Sequence, residues 1–220
     1  MWKSSCASAA ALVLALSLVL PTSAARAAVL VVGPEEIRVS GTIGDADAVQ
    51  LRQLLRDNPG VVRVVFDRCI GGTVGAAFEF ATLIRAHRLA TVASHQASSA
   101  CAMAFLAGHE RRFDDNAPFT TIVLHAGRRP DGSGPSSPVV NRRILLFLET
   151  ATDGKLSPRL LRLVESSWSE AAGVMFLRRH DGGQRLHEVR HCDGTQGSDA
   201  GLCRTLPEFD PVSQGIVTAL

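Results

Sequence analysis

Three short stretches of this chain carry groups able to act on a carbonyl carbon. Asp67-Arg68-Cys69-Ile70-Gly71-Gly72 ends in paired glycines, which let backbone approach a substrate closely and present amides as hydrogen-bond donors. Gln96-Ala97-Ser98-Ser99-Ala100-Cys101 places two hydroxyls at the start of a run of tiny residues. Leu124-His125 sets a histidine at the end of an apolar run. A serine, a histidine and a glycine pair brought together would make an acyl-transfer site, in which the imidazole deprotonates the hydroxyl and the amides hold the oxyanion. Taken singly, each is more often a helix cap, a structural histidine or a turn. A second pattern competes. His187-Glu188-Val189-Arg190-His191 fits the H-E-x-x-H zinc signature, which needs two full helical turns so that both histidines face one ion. Gly182-Gly183 before it and Cys192-Asp193-Gly194 after it leave little room for such a helix, so a chance match in a basic tail is the simpler reading.

The flanking pattern predicts how the three stretches are held. Strands are expected over Val29–Val32, Glu36–Ser40, Val61–Phe66, Ala90–Ala93 and Thr120–Leu124, the third a β-branched run of the kind buried on both faces. Helices are expected over Asp45–Arg56, Val74–Ala86, Ser98–Ala107, Val139–Thr152 and Ser157–Ser166, with Gly41–Gly44 a turn and residues 128–138 a Gly/Pro/Ser loop. This order predicts an α/β fold with largely parallel strands, and all three stretches fall at C-terminal strand ends, where sites collect in such sheets. Beyond Gly182 the periodicity is lost and an irregular tail is expected. The predicted division is 1–27, 28–181 and 182–220.

Residues 1–27 read as an export signal. Lys3 supplies the positive end, Ala9–Leu20 the apolar run, and Pro21 with the small residues TSAARA the cleavage region, after Ala24 or Ala27. The run is shorter than the roughly 20 residues a bilayer span needs, and no later run resembles a membrane helix. Removing the segment takes Lys3 and Arg26 and no acid, so the formal charge of +2 falls to zero. With 5% aromatic residues and no Tyr, neither phosphate attraction nor base stacking is expected, and nucleic acid is excluded as a partner. No Walker-type loop, nucleotide fingerprint, cofactor motif or G-x-S-x-G elbow is present. Cys6 also leaves with the signal, so that of five cysteines Cys69, Cys101, Cys192 and Cys203 remain. An even number in an exported chain points to disulfides, with three pairings open. Cys192–Cys203 is favoured because CDGTQGSDAGLC closes easily, which leaves Cys69 and Cys101 to each other or free.

The ordered set VVFDRCIGG, SSACAMAFLAGHERR and TIVLHAG resembles the Clp protease proteolytic-subunit and crotonase superfamily, and especially its exported ClpP-like branch, over about Ile37 to Phe176. The resemblance implies a repeated β-β-α spiral and an exported, periplasmic or secreted serine peptidase without a cofactor. Its substrates would be peptides or unfolded protein, and the chain would self-associate into a homo-oligomer. It also implies Ser99 as nucleophile with Ser98 as fallback, His125 as general base, and Gly72 with the Ala100 amide as oxyanion hole. The acid that orients the histidine should lie in or after the segment from Leu160 to Ser167, where Glu165 is the candidate and Asp153 a poorer one; without either, a Ser-His dyad remains. Cys-Ile stands where Ser-Pro is usual before Gly71. That departure places Cys69 near the start of the Ser99 helix and makes a Cys69–Cys101 bridge possible. Cys101 as nucleophile is the competing reading, and a non-catalytic exported interaction domain is the alternative to an enzyme.

Overall fold

In the computed structural model the described residues are 27–169, 171–197 and 199–218. The export-signal reading covers residues 1–27, and all of these but Ala27 lie outside the described residues. The strands are β1 (Val29–Val32), β2 (Glu36–Ile43), β3 (Arg63–Gly72), β4 (Ala90–Ser98), β5 (Arg111–Phe113), β6 (Phe119–Leu124), β7 (Ala172–Asp181), β8 (Gln184–Asp193) and β9 (Arg204–Thr205). The helices are α1 (Asp45–Asp57), α2 (Val74–Ala86), α3 (Ala100–Phe105), α4 (Pro138–Ala151) and α5 (Pro158–Ser166).

Among the described residues the strands form one mixed sheet in the order β1-β2-β3-β4-β6-β7-β8-β9, with β5 also on β4. The centre, β2-β3-β4-β6, is parallel, and β1, β7, β8 and β9 join antiparallel. The expectation of largely parallel strands therefore holds for the centre only. Alternation in β2 buries Ile37 and Val39, whereas β3 buries Val64, Val65 and Phe66 in succession because both of its faces are covered. Phe80 and Ile84 of α2 and Phe105 of α3 complete the core above them.

Three neighbouring strands break register at one level. Gly41 in β2, Arg68 in β3 and His95 in β4 all have positive φ, and the pairings skip there, from Val39/Gly41 on β2 and from Asp67/Cys69 on β3. Bulges bend strands. Before the break β4 pairs with β5 through Thr91–Ala93; after it, Gln96–Ser98 pair with Thr121–Val123 of β6. The sequence predicts β4 to stop at Ala93 because Ser94-His95-Gln96 is polar and has no strand pattern of its own. Pairing with β6, remote in sequence, makes it a strand. The bend is held by side chains: His95 Nδ1 lies 2.9 Å from Asp67 Oδ1, Arg38 reaches Asp67 at 3.3 Å, and Ser94 donates to Asp114 at 2.7 Å.

The irregular-tail expectation for residues 182–220 meets a different structure. Gly182-Gly183, with φ of 54° and 84°, is a two-residue turn joining β7 and β8 into a ten-residue-per-strand hairpin. The glycines mark a hairpin, not a loss of order. His187 and His191 therefore sit on a strand, roughly 13 Å apart along it. His187 stacks on Phe113, while His191 faces Ser167 at 3.4 Å, so the two do not converge on one ion. Among the described residues, no helix is long and apolar enough to cross a membrane.

The end of the chain is tied back to β5. The guanidinium of Arg111 donates to the carbonyls of Gly108, Gly215 and Ile216 at 2.8–3.2 Å, and Ile216 and Val217 are buried. Replacing Arg111 with Met leaves three carbonyls without a charged donor. Urea denaturation should show a loss of about 2–3 kcal/mol, and an unchanged midpoint would refute this role.

Candidate active site

The bend brings the ends of β3, β4 and β6 side by side. Ser98 is the last residue of β4 and Ser99 the turn into α3. Ser99 has φ 55° and ψ −123°, a backbone state that non-glycine residues rarely adopt and that costs of order 1–3 kcal/mol. Its amide donates to Val123 O of β6 at 2.9 Å, and its carbonyl accepts from Met103 at 3.0 Å. Its hydroxyl caps nothing in α3. The strained strand-to-helix turn thus holds out a hydroxyl that local hydrogen bonds do not use.

Gly71 lies directly against this turn. A Cβ on Gly71 would stand 3.0 Å from Ser99 Cβ and 3.5 Å from its Oγ, and its φ is 132°. Gly72 is equally constrained, since a Cβ there would overlap the carbonyl of Ile43. The expected oxyanion glycine, Gly72, therefore follows the residue that touches Ser99, and the Ala100 amide opens α3 on the other side. The Gly-Gly pair was visible in sequence; which of the two meets the serine depends on how β3 lies beside β4.

Cys69 and Cys101 flank this contact and are within disulfide distance, with Cα atoms 5.8 Å apart. Cys101 Sγ lies 3.2 Å from the Gly71 carbonyl oxygen. Cys192 and Cys203 also pair, with Cα atoms 4.6 Å apart. Both sulfurs of the first pair are fully buried, and the pairing occupies the thiol that the Cys101-nucleophile reading would need.

His125 follows β6 and is half-buried. Its Nδ1 is 2.6 Å from the carbonyl oxygen of Ala126, which can only accept. In the neutral ring the proton must then sit on Nδ1, leaving the Nε2 lone pair available as a base. Burial, chiefly, holds this histidine below the ordinary value; the Ala126 carbonyl opposes the shift, and Arg128 adds to it.

No carboxylate is hydrogen-bonded to His125 among the described residues. Glu165 is exposed on α5: Leu160 and Val164 face inward, and the next residue turns about 100° away. Asp153, also exposed, lies in the field of Arg111 instead. What does stand beside His125 from this region is Ser167, which is buried and accepts from the amide of Ala126 through its carbonyl at 2.9 Å. No sequence signal marks it, because its role is a main-chain contact.

An open cavity of about 1270 Å³ includes Ser98, His125, Gly72, Ile70, Gln96 and Arg128 in its lining. Ser98, not Ser99, forms this stretch of wall, and its hydroxyl accepts from Gln96 at 2.8 Å.

The fold is shared with a solved ClpP1 variant from Listeria monocytogenes, at TM-score 0.51 and 15% identity over 84% of this chain and 90% of that one. A solved variant of the 1510-N membrane-bound stomatin-specific protease aligns at TM-score 0.47 and 11% identity, over 82% of this chain and 75% of that one. No protein-family model and no curated sequence matches the chain. The likeness to ClpP1 establishes the α/β fold.

Two predictions arise from this geometry. Ser99→Gly relieves the positive φ and should be more stable than Ser99→Ala by about 1 kcal/mol in denaturant titration; the reverse order would show that the turn is unstrained. His125, His187 and His191 are all shifted down, with burial the largest cause in each. The unfolded chain therefore binds protons first, below about pH 6.5. Their contribution to stability is present above that pH and is lost as the pH falls through the lower folded-state values. Denaturant midpoints should drop between pH 7.5 and 5.5, and a rise on acidification would contradict the assignment.

Proposed function

We propose that this chain is an exported serine peptidase of the ClpP/crotonase superfamily acting on peptides or unfolded protein. The observation that carries the reading is the strained turn at Ser99, packed on Gly71 and joined through Val123 to the strand that His125 follows. In this mechanism Ser99 Oγ attacks the peptide carbonyl as His125 Nε2 takes its proton. The amides of Gly72 and Ala100 receive the developing oxyanion, an interaction often worth about 3–4 kcal/mol. His125 then returns the proton to the leaving amine, and water repeats the sequence on the acyl-enzyme.

Ser99 and His125 work here as a dyad. The Ala126 carbonyl supplies the tautomer that Glu165 was expected to fix, but it carries no full charge to stabilise the imidazolium, and Arg128 opposes that charge. The base form of His125 is favoured at neutral pH, at the expense of its strength as an acid. Export is supported by the apolar run at residues 9–20 and by the two cysteine pairs, and places the protein in the periplasm or outside the cell. Self-association into a homo-oligomer is part of the same reading.

Two further readings have an observation behind them. Ser98 shares the cavity wall with His125, which supports it as the nucleophile in place of Ser99. Among the described residues His125 is hydrogen-bonded to no carboxylate, which supports a non-catalytic interaction domain. A fluorophosphonate probe separates them. Wild type and Ser98→Ala should label and Ser99→Ala should not; the opposite pattern assigns Ser98, and no labelling of any form favours the binding domain. The labelling rate should fall on acidification only below about pH 6.5, the ordinary histidine value. A fall that begins above it would exclude His125 as the base.

A further inference from the structure

We propose that the Cys69–Cys101 disulfide is a positioning clamp for this site, holding the Gly71-Gly72 backbone against the Ser99 turn. The inference rests on the peptidase reading for its catalytic consequence, though the clamp itself is a statement about structure. The two halves of the site hang from different parts of the sheet. Gly71 and Gly72 pair with Thr42 and Ile43 of β2. Ser98 pairs with Val123 of β6, and the Ser99 amide binds the Val123 carbonyl. Between the halves, the β3–β4 ladder ends at Cys69↔Ala97, after a register break. No ladder hydrogen bond therefore fixes the distance between Gly71 and Ser99.

The covalent link spans that gap. Cys69 lies two residues before Gly71, and Cys101 two residues after Ser99. On the β4 side the segment it restrains has no ladder partner: two successive glycines, with φ of 132° and 147°, end β3 and are held only from β2. On the other side α3 has only six residues and begins Ala100-Cys101-Ala102, so its large core side chains, Met103 and Phe105, lie at the end away from Ser99. Both cysteines are fully buried, so the bond is screened from reductants in the folded protein and acts as a permanent restraint.

The test uses the full mature chain and a Cys69→Ala/Cys101→Ala variant. If that variant does not fold, Cys69→Val/Cys101→Ala restores buried volume without the bond. Hydrogen exchange is read over residues 70–73 and 99–102, with the β7–β8 hairpin as internal reference. Loss of the clamp should speed exchange at the two site segments by about tenfold or more and leave the hairpin unchanged. Fluorophosphonate labelling should lose about a hundredfold in its saturating rate, with little change in the probe concentration giving half that rate, because the clamp orients the reacting groups and does not bind the probe. Unchanged exchange at both segments, or acceleration throughout the molecule, would overturn the proposal. If the wild type itself does not label while the local exchange difference persists, the peptidase reading fails and the clamp stands.

Discussion

The close approach of Gly71 to Ser99 is the constraint around which the rest of the molecule is arranged. A side chain at position 71 would meet Ser99 Cβ at 3.0 Å, and one at 72 would overlap the carbonyl of Ile43. Two strand ends can lie this close only where one of them lacks side chains. The bulges at Gly41, Arg68 and His95 turn β2, β3 and β4 together at one level, so that the ends of β3 and β4 arrive at the same place. The buried helix α3 and the inner face of α2 then pack over them, and β6 joins the bent half of β4. Strain at Ser99 is tolerated because its amide, its carbonyl and the neighbouring Cys101 are each tied to a different part of the core.

The electrostatics of the site follow from its position at the edge of that core. His125 is shielded enough to be held below its ordinary value, and its ring is oriented by a main-chain carbonyl. The carbonyl is itself fixed, because the Ala126 amide binds Ser167 where α5 ends. Acids gather elsewhere: Asp67 and Asp114 serve the bend through His95 and Ser94, and Asp115 pairs with the buried Arg178. The charged network thus stabilises the sheet's bend and its C-terminal half, and among the described residues it does not reach His125.

Legibility differed by element for a physical reason. Helix α2 was readable to the residue, because its apolar spacing and the Thr73 cap are local. The core of β3 was readable from its β-branched run. The second half of β4 was not, since Ser94-His95-Gln96 is polar and becomes strand only through a partner remote in the chain; the β7–β8 hairpin is local, but its Gly182-Gly183 turn resembles a break in order. Glu165 shows the same limit at the site: its place in the sequence suited an orienting acid, while the face of α5 that packs inward is set by Leu160 and Val164.

The sequence by itself determined the α/β class, the favoured Cys192–Cys203 pair and the three stretches that carry chemistry, because composition, periodicity and glycine placement are properties of short segments; that Cys69 meets Cys101 was decided by the tertiary structure. The tertiary structure alone decided that Gly71 is the glycine against Ser99, that His125 is oriented by the Ala126 carbonyl, that Ser98 lines the cavity, and that His187 and His191 stand apart on a strand. Each of these depends on strand register or helix rotation, where a shift of one residue changes which side chain faces the site.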